Sequence, residues 1–185
     1  MLHALKSHPL KKVIVVSSTR VYGESAGERV DDETCPQPSD AQGQVLLNME
    51  TLWQQAYPSE CVIVRPTGIY GTSVARMIKL AETTKAYPKL HWSNRIHVED
   101  LAAFLAHLLH VEHSEKSYIC SNSQPQPLHE IMQWFQQQLG LPVLVLESDA
   151  SSGKQIYATR MQQMNFELQH PHCFDDYLAL LAERS

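Results

Sequence analysis

Glycine is scarce in this chain, with seven in 185 residues, about half the usual ~7%. No Gly-x-Gly-x-x-Gly or Gly-x-x-Gly-x-x-Gly run occurs; the closest pair is Gly68 and Gly71. A glycine-rich turn that cradles phosphates is therefore missing. Positive charge is also in short supply, with 15 Lys and Arg against 20 Asp and Glu, a net of -5. The longest basic run is Lys11-Lys12, so the basic stripe that a nucleic-acid partner needs is not visible. No stretch approaches the ~20 apolar residues of a membrane span. The short apolar run Val13 to Val16 falls below the ~7–15 residues of a signal-peptide core. A cytoplasmic protein is expected.

The four cysteines, Cys35, Cys61, Cys120 and Cys173, are scattered without a Cys-x-x-Cys pair and read as reduced, mostly structural thiols. Ten histidines invite a search for metal ligands, and His170-Pro171-His172-Cys173 is the only dense cluster. Its internal proline opposes a helical i, i+4 pair, so a surface turn is expected there and no metal site.

What the chain does have is apolar content: 43% of residues against 19% charged. A globular chain of this length buries roughly 70% of its unfolded surface. Lys11 to Ser17 reads as a strand buried on both faces. A polar loop runs from Glu24 to Asp40. A helix follows over about Ala41 to Tyr57, with Val45, Leu46, Met49, Leu52, Trp53 and Ala56 on one face and Ser39 and Gln42 at capping-box spacing. Cys61 to Val64 is a second buried strand, Val74 to Ala81 a short helix, and His97 to Val111 a longer one. Asp100 lies in the first turn of that helix as a cap. Lys116 to Cys120 is a third strand, Pro127 to Leu139 a helix ended by Gly140, and Pro142 to Glu147 a fourth strand. One or two short helices occupy Thr159 to Glu183, and Gln133 to Gln138 reads as a solvated helix face. Strands alternating with helices predict a mostly parallel α/β sheet.

Three patches are more specific. Val13-Ile14-Val15-Val16-Ser17-Ser18-Thr19-Arg20-Val21-Tyr22-Gly23 runs from a buried strand into a serine pair and a turn. Val62-Ile63-Val64-Arg65-Pro66-Thr67-Gly68-Ile69-Tyr70-Gly71 ends a second strand in a proline-fixed turn. Arg95-Ile96-His97-Val98-Glu99-Asp100-Leu101-Ala102 reads as a helix start with an arginine just ahead. Open α/β sheets bind ligands at the carboxyl ends of their strands, where the first two patches finish.

In this order and spacing, with Ser117-Tyr118-Ile119-Cys120 in the place of a sixth sheet strand, the chain resembles the NAD-dependent epimerase/dehydratase family, the extended short-chain dehydrogenases. The likeness is greatest to small bacterial members described as nucleoside-diphosphate-sugar epimerase-like. It implies the C-terminal part of a Rossmann-like doubly wound sheet plus a small substrate-binding subdomain, as one partial domain over 1–185. The subdomain elements fall mainly at 72–100 and 122–185. By resemblance, Ser18 is the serine that hydrogen-bonds the reacting hydroxyl or carbonyl of the sugar. Pro66 and Thr67 lie against the nicotinamide, and Asn94 and Arg95 help hold the nucleotide sugar. Ser17 and Ser18 as a plain turn cap, and Arg65 as a structural ion-pair partner, remain open readings. The resemblance also admits a homodimer built on the 41–57 helix.

Two departures matter. The family's Tyr-x-x-x-Lys dyad, in which tyrosinate transfers the proton and lysine lowers its pKa, is due at the start of the helix near Ala41. Aligned through Glu50, Gln42 takes the tyrosine position and Leu46 the lysine position. No tyrosine lies between Tyr22 and Tyr57, and no lysine between Lys12 and Lys79. The acidic pair that dehydratases carry after the serine is replaced by Thr19 and Arg20. The chain also opens at what resembles the helix before the fourth strand. About three strand–helix units, on the order of 90 residues, are then missing with the pyrophosphate site. NAD or NADP is expected in a full-length parent and not as a tight ligand of this chain alone. Three functions stay open: a nucleotide-sugar epimerase or dehydratase with a degenerate site, a non-catalytic NAD(P)-binding sensor or regulatory module, and an inactive fragment.

Overall fold

The computed structural model describes residues 10–183. The helix expected at the start of the chain lies within residues 1–9, outside the described residues. The elements in chain order are β1 (Val13–Val16), a 3-10 turn (Thr19–Val21), β2 (Ala26–Val30), α1 (Ala41–Ala56), β3 (Cys61–Pro66), β4 (Gly68–Tyr70), α2 (Ala75–Thr83), β5 (Ala86–Tyr87), β6 (Leu90–Ser93) and β7 (Arg95–His97). They continue with α3 (Val98–His110), β8 (Ser117–Cys120), β9 (Gln126–Pro127), α4 (Leu128–Gln138), β10 (Val145–Leu146), β11 (Ser151–Ile156), α5 (Thr159–Gln163) and α6 (Cys173–Ala182).

The central sheet is parallel, in the order β1-β3-β8. Val13 pairs with Cys61 through to Val16 with Val64, and Ile63 with Ser117 through to Pro66 with Cys120. The middle strand β3 is buried along its whole length, which explains its unbroken apolar sequence. Its alternate residues feed two cores. Val62 and Val64 join Leu101, Phe104 and Leu108 of α3 on one side. Cys61 and Ile63 join Tyr57, Met49 and Trp53 on the other. Helices on both faces of a parallel sheet make this a doubly wound α/β arrangement. Full burial of a side chain such as Phe104 stabilises by about 1.5–3 kcal/mol. β1 is not buried on both faces as expected, because Val16 is exposed and among the described residues β1 pairs only with β3.

A third core gathers Ile131, Met132 and Phe135 of α4 with Val74, Ala81, Leu144, Cys173 and Tyr177. Above it a four-stranded sheet runs β2-β11-β6-β9. β2 falls inside the segment expected to be a polar loop. Its sequence, Ala-Gly-Glu-Arg-Val, has no apolar alternation because only Val30 is buried, and among the described residues β11 is its sole partner. The fourth strand expected at Pro142 to Glu147 shrinks to β10, which pairs with β5 away from the central sheet. The reason is that Val143 and Val145 face outward while only Leu144 is buried.

Three local expectations also change. The N-cap of α1 is Asp40, whose carboxylate accepts from the Gly43 N–H at 2.7 Å, and not the Ser39/Gln42 box. The stripe of α1 is split, since Val45 and Leu52 are exposed. Gln136 is buried rather than solvated: its amide donates to the Ala81 and Thr84 carbonyls and accepts from the Leu144 N–H, capping the end of α2.

Arg65 is an ion-pair partner, one of its two open readings. Its Nε and Nη2 donate to Glu50 at 3.1 and 2.6 Å, and Nη1 donates to the Tyr22 hydroxyl at 2.8 Å. All three side chains are buried, so the pair ties α1 and the 3-10 turn to β3. The cysteines are unpaired. Burial pushes the Cys120 thiol up to about 12 and the Cys173 thiol up to about 11, which leaves both protonated and inert.

Candidate functional site

The three sequence patches meet at one edge. Because β1 and β3 are parallel and in register, their carboxyl ends bring the Ser17-Ser18 turn beside the Pro66-Thr67 turn. The helix expected from His97 begins at Val98, with His97 as its N-cap, and the arginine just ahead of it stands on strand β7, which was not expected. This strand pairs with β4, Gly68 with Arg95 and Tyr70 with His97. The second and third patches are thus joined by a ladder.

A cleft of about 600 Å³ opens there, lined among others by Thr19, Glu24, Thr67, Asn94, Arg95 and Lys154. A second, of about 360 Å³, shares Gly68, His91 and Arg95 with it and reaches Tyr70 and Tyr177. Arg95 therefore stands between the two. Its Nε donates to the Tyr177 hydroxyl at 3.0 Å.

The expected site residues take distinct places. Ser18 caps the 3-10 turn, its Oγ accepting from the Arg20 N–H at 3.2 Å. Next to it, the buried Ser17 Oγ has no partner among the described residues. Thr67 is buried at the floor of the larger cleft, its hydroxyl donating to the Cys120 carbonyl. The Pro66 carbonyl accepts from Thr19 Oγ1. Asn94 lines the cleft, but its amide bridges to β11: Nδ2 donates to the Lys154 carbonyl and Oδ1 accepts from the Ile156 N–H, both at 2.8 Å.

Sequence reading missed Lys154 and Glu24. Lys154 is half-buried, and its Nζ donates to the Tyr22 carbonyl directly after the serine turn. Burial holds its pKa below the ordinary amine value, against the pull of Glu24 and other carboxylates. Glu24 lines the same cleft with Oε2 buried and without a partner among the described residues. No motif surrounds Lys154, so only the folded position of β11 reveals it; Glu24 directly follows the first patch, which ends at Gly23. His91, at the junction of the clefts, is likewise held below the usual imidazole range by burial and by nearby Lys89.

The sequence profile of the NAD-dependent epimerase/dehydratase family matches residues 1–120. The chain belongs to that family. Protein YeeZ of Escherichia coli K12 is 30% identical over 174 residues, which are 89% of this chain and 61% of YeeZ. The chain thus spans about 61% of the length of that curated relative. A solved structure from Methylobacillus flagellatus, provisionally described as an NAD-dependent epimerase/dehydratase, is 35% identical. It superposes with a TM-score of 0.87 over 99% of this chain and 68% of its own. The dTDP-glucose 4,6-dehydratase of Bacillus anthracis, solved with NAD, shares the fold at 19% identity and TM-score 0.78, over 98% of this chain and 65% of its own.

Family membership implies NAD(P), and the residues can be tested for it. Among the described residues no strand leads into a helix through a glycine-rich turn. The glycines that line the larger cleft are packing glycines: a Cβ on Gly68 would stand 2.9 Å from the Asn94 carbonyl, and one on Gly153 2.7 Å from the Trp92 carbonyl. The described residues therefore do not fit the pyrophosphate of a dinucleotide. The dyad positions lie on α1, with Gln42 exposed and Leu46 half-buried. They border a shallow apolar recess with Arg20 and Val45.

The His170 segment is not the surface turn expected. His170 is only 25% exposed and stacks on His97 at 3.6 Å between ring centres. Donor atoms of His97, Glu99 and His170 lie within 4.8 Å of one another. Yet both His170 nitrogens already face carboxylates, and stacked rings aim their in-plane lone pairs along parallel directions that do not converge on an ion. Asp100 is not a cap of α3 either. His97 Nδ1 caps that helix, while the buried Asp100 carboxylate accepts from the Gln169 and His170 N–H groups at 2.8 and 3.0 Å.

Proposed function

We propose that the chain carries the nucleotide-sugar side of an epimerase/dehydratase site from which the proton-transfer dyad has been lost. On this reading it binds an NDP-sugar-like ligand and does not turn it over. The observation that carries it is the pairing of a cationic cleft at the strand ends with a dyad-less α1. Arg95, Lys154 and Lys89 line the larger cleft, a charge pattern suited to a diphosphate although the chain as a whole carries -5. Ser18, with the buried Ser17 hydroxyl beside it, would hydrogen-bond the sugar. Pro66 and Thr67 would form the wall toward a nicotinamide, and Asn94 would set the cleft's shape. Residues 72–100 and 122–185 would supply the substrate-binding subdomain.

Gln42 and Leu46 can neither abstract nor return a proton. One acid–base residue contributes about 10²–10⁴-fold, so losing both removes several powers of ten. With the pyrophosphate cradle missing too, the 185-residue chain would be a ligand-binding module, its redox chemistry left to a dinucleotide held elsewhere.

The test is a pair of titrations on the chain. UDP- or dTDP-glucose should bind, and Arg95→Ala should abolish binding. NADH should give no saturable fluorescence change. Micromolar NADH affinity would overturn the second half of the proposal, and a UDP-sugar affinity unaffected by Arg95→Ala would overturn the first.

A further inference from the structure

The segment Gln169 to Tyr177 holds Arg95 through the Tyr177 hydroxyl. Asp100 grips its start through the two N–H groups of Gln169 and His170. The His170 imidazole then lies between two carboxylates. Nδ1 is 2.7 Å from Asp176 Oδ1, and Nε2 is 3.1 Å from Glu99 Oε2. A neutral imidazole has one N–H and satisfies one of them; the imidazolium donates to both. Below it lies the His97 ring, whose Nδ1 accepts from the Glu99 N–H at 3.3 Å. A neutral ring there offers its face to the cation, whereas a second cation would repel it.

The far side of the contact leads to the cleft. Asp176 Oδ2 accepts from the Tyr70 hydroxyl at 2.6 Å. One residue on, Tyr177 packs edge-on against Tyr70 and accepts from Arg95 Nε. The groups facing His170 are therefore Glu99 and Asp100 of α3, His97 ahead of α3, Asp176 of α6 and Tyr70 of β4.

We infer that His170 is a positioning residue: as an imidazolium it latches α6 to the start of α3, and the latch holds Tyr177 on Arg95 and so fixes the guanidinium between the two clefts. The contact with Asp176 first, and that with Glu99, outweigh burial and hold the His170 pKa above the usual imidazole value. A group whose folded pKa is raised contributes fully below its unfolded value and loses the contribution as pH rises through the folded one. The latch is thus closed in acid and opens as pH rises through the raised value of His170. The consequence for ligand affinity rests on the reading of Arg95 proposed above; the latch itself does not.

Hydrogen exchange at the α6 amides, corrected for intrinsic rates, tests the latch without ligand. Between about pH 6 and about pH 8.5, protection over 173–177 should fall by about threefold or more. His170→Gln should exchange at both pH values as the wild type does at the higher one. Asp176→Asn, the second variant, should shift the His170 Cε1–H titration downward by NMR. Equal wild-type protection at both pH values, or a pH-dependent loss that persists in His170→Gln, would overturn the latch. UDP-glucose, whose charge is constant over this range, should bind more weakly at the higher pH in wild type and equally at both in His170→Gln. pH-dependent protection without any UDP-glucose binding would support the latch and overturn only the reading of the cleft.

Discussion

Replacing Glu50 by Ala should be among the most damaging single changes in the chain. Glu50 and Arg65 are 1% and 7% exposed and meet through two hydrogen bonds of 3.1 and 2.6 Å. Removing the carboxylate leaves a buried guanidinium with, among the described residues, only the Tyr22 hydroxyl as hydrogen-bond partner. Breaking such a pair costs about 3–5 kcal/mol, against a total stability of about 5–15 kcal/mol for a domain. At about 2–4 °C per kcal/mol for a chain of this size, Tm should fall by roughly 6–20 °C. Glu50→Gln keeps an acceptor and should fall in between. The double change Glu50→Leu/Arg65→Met removes both charges and should recover most of the loss, since apolar replacement of a buried pair is often neutral or better. Thermal melts and urea titrations of the four proteins measure this. A Glu50→Ala loss below about 1 kcal/mol, or a double variant as unstable as the single, would refute the reasoning, because the pair would then be solvated like an ordinary surface contact.

Lys154→Met should raise Tm at neutral pH while weakening UDP-glucose binding. Burial lowers the Lys154 pKa, so its charged form is penalised in the fold, and the gain should shrink as pH climbs through the lowered value; a lower Tm for the variant would count against this. Asp32→Ala should cost roughly 2–4 kcal/mol, because its buried carboxylate accepts from the Ile119 N–H, the Thr159 hydroxyl and the Arg160 N–H; a urea midpoint within error of wild type would exclude that role. Gly71→Ala should destabilise by melting and also perturb the His97 ring by NMR. Gly71 has φ +114°, and a Cβ there would stand 2.1 Å from His97 Nε2; an unchanged His97 spectrum would refute it.

The sheet was legible where burial leaves a sequence imprint. β3 is enclosed on both faces, and its apolar run announces it. α3 and α4 were visible for a related reason, since each lays a full stripe on a core. β2 carries no such imprint: an edge strand with one buried residue reads as a loop. Gln136 illustrates the converse. It looks like the rest of its polar run, and only the end of α2 packed over it turns it into a buried cap.

The site divides in the same way. Ser18 and Thr67 follow strands whose patterns are readable, so their convergence followed from parallel pairing, whereas Arg95 stands on β7, a three-residue strand with no readable pattern. Lys154 and His170 owe their places to partners far away in the chain, Lys154 to Tyr22 and His170 to Glu99 and Asp100. No local period encodes such contacts. Asp100 shows how a local rule can be overruled. A carboxylate in a first turn suits the helix dipole, yet here it is spent on the backbone of a distant segment.

One proton NMR sample of the chain with UDP-glucose and NAD⁺ tests whether the cleft holds a nucleotide sugar that α1 lacks the groups to convert. Broadened UDP-glucose anomeric signals are expected, sharpened again by Arg95→Ala, with no new sugar resonances on prolonged incubation. Appearance of a 4-epimer or a 4-keto sugar, or UDP-glucose signals as sharp as in buffer, would contradict this reading.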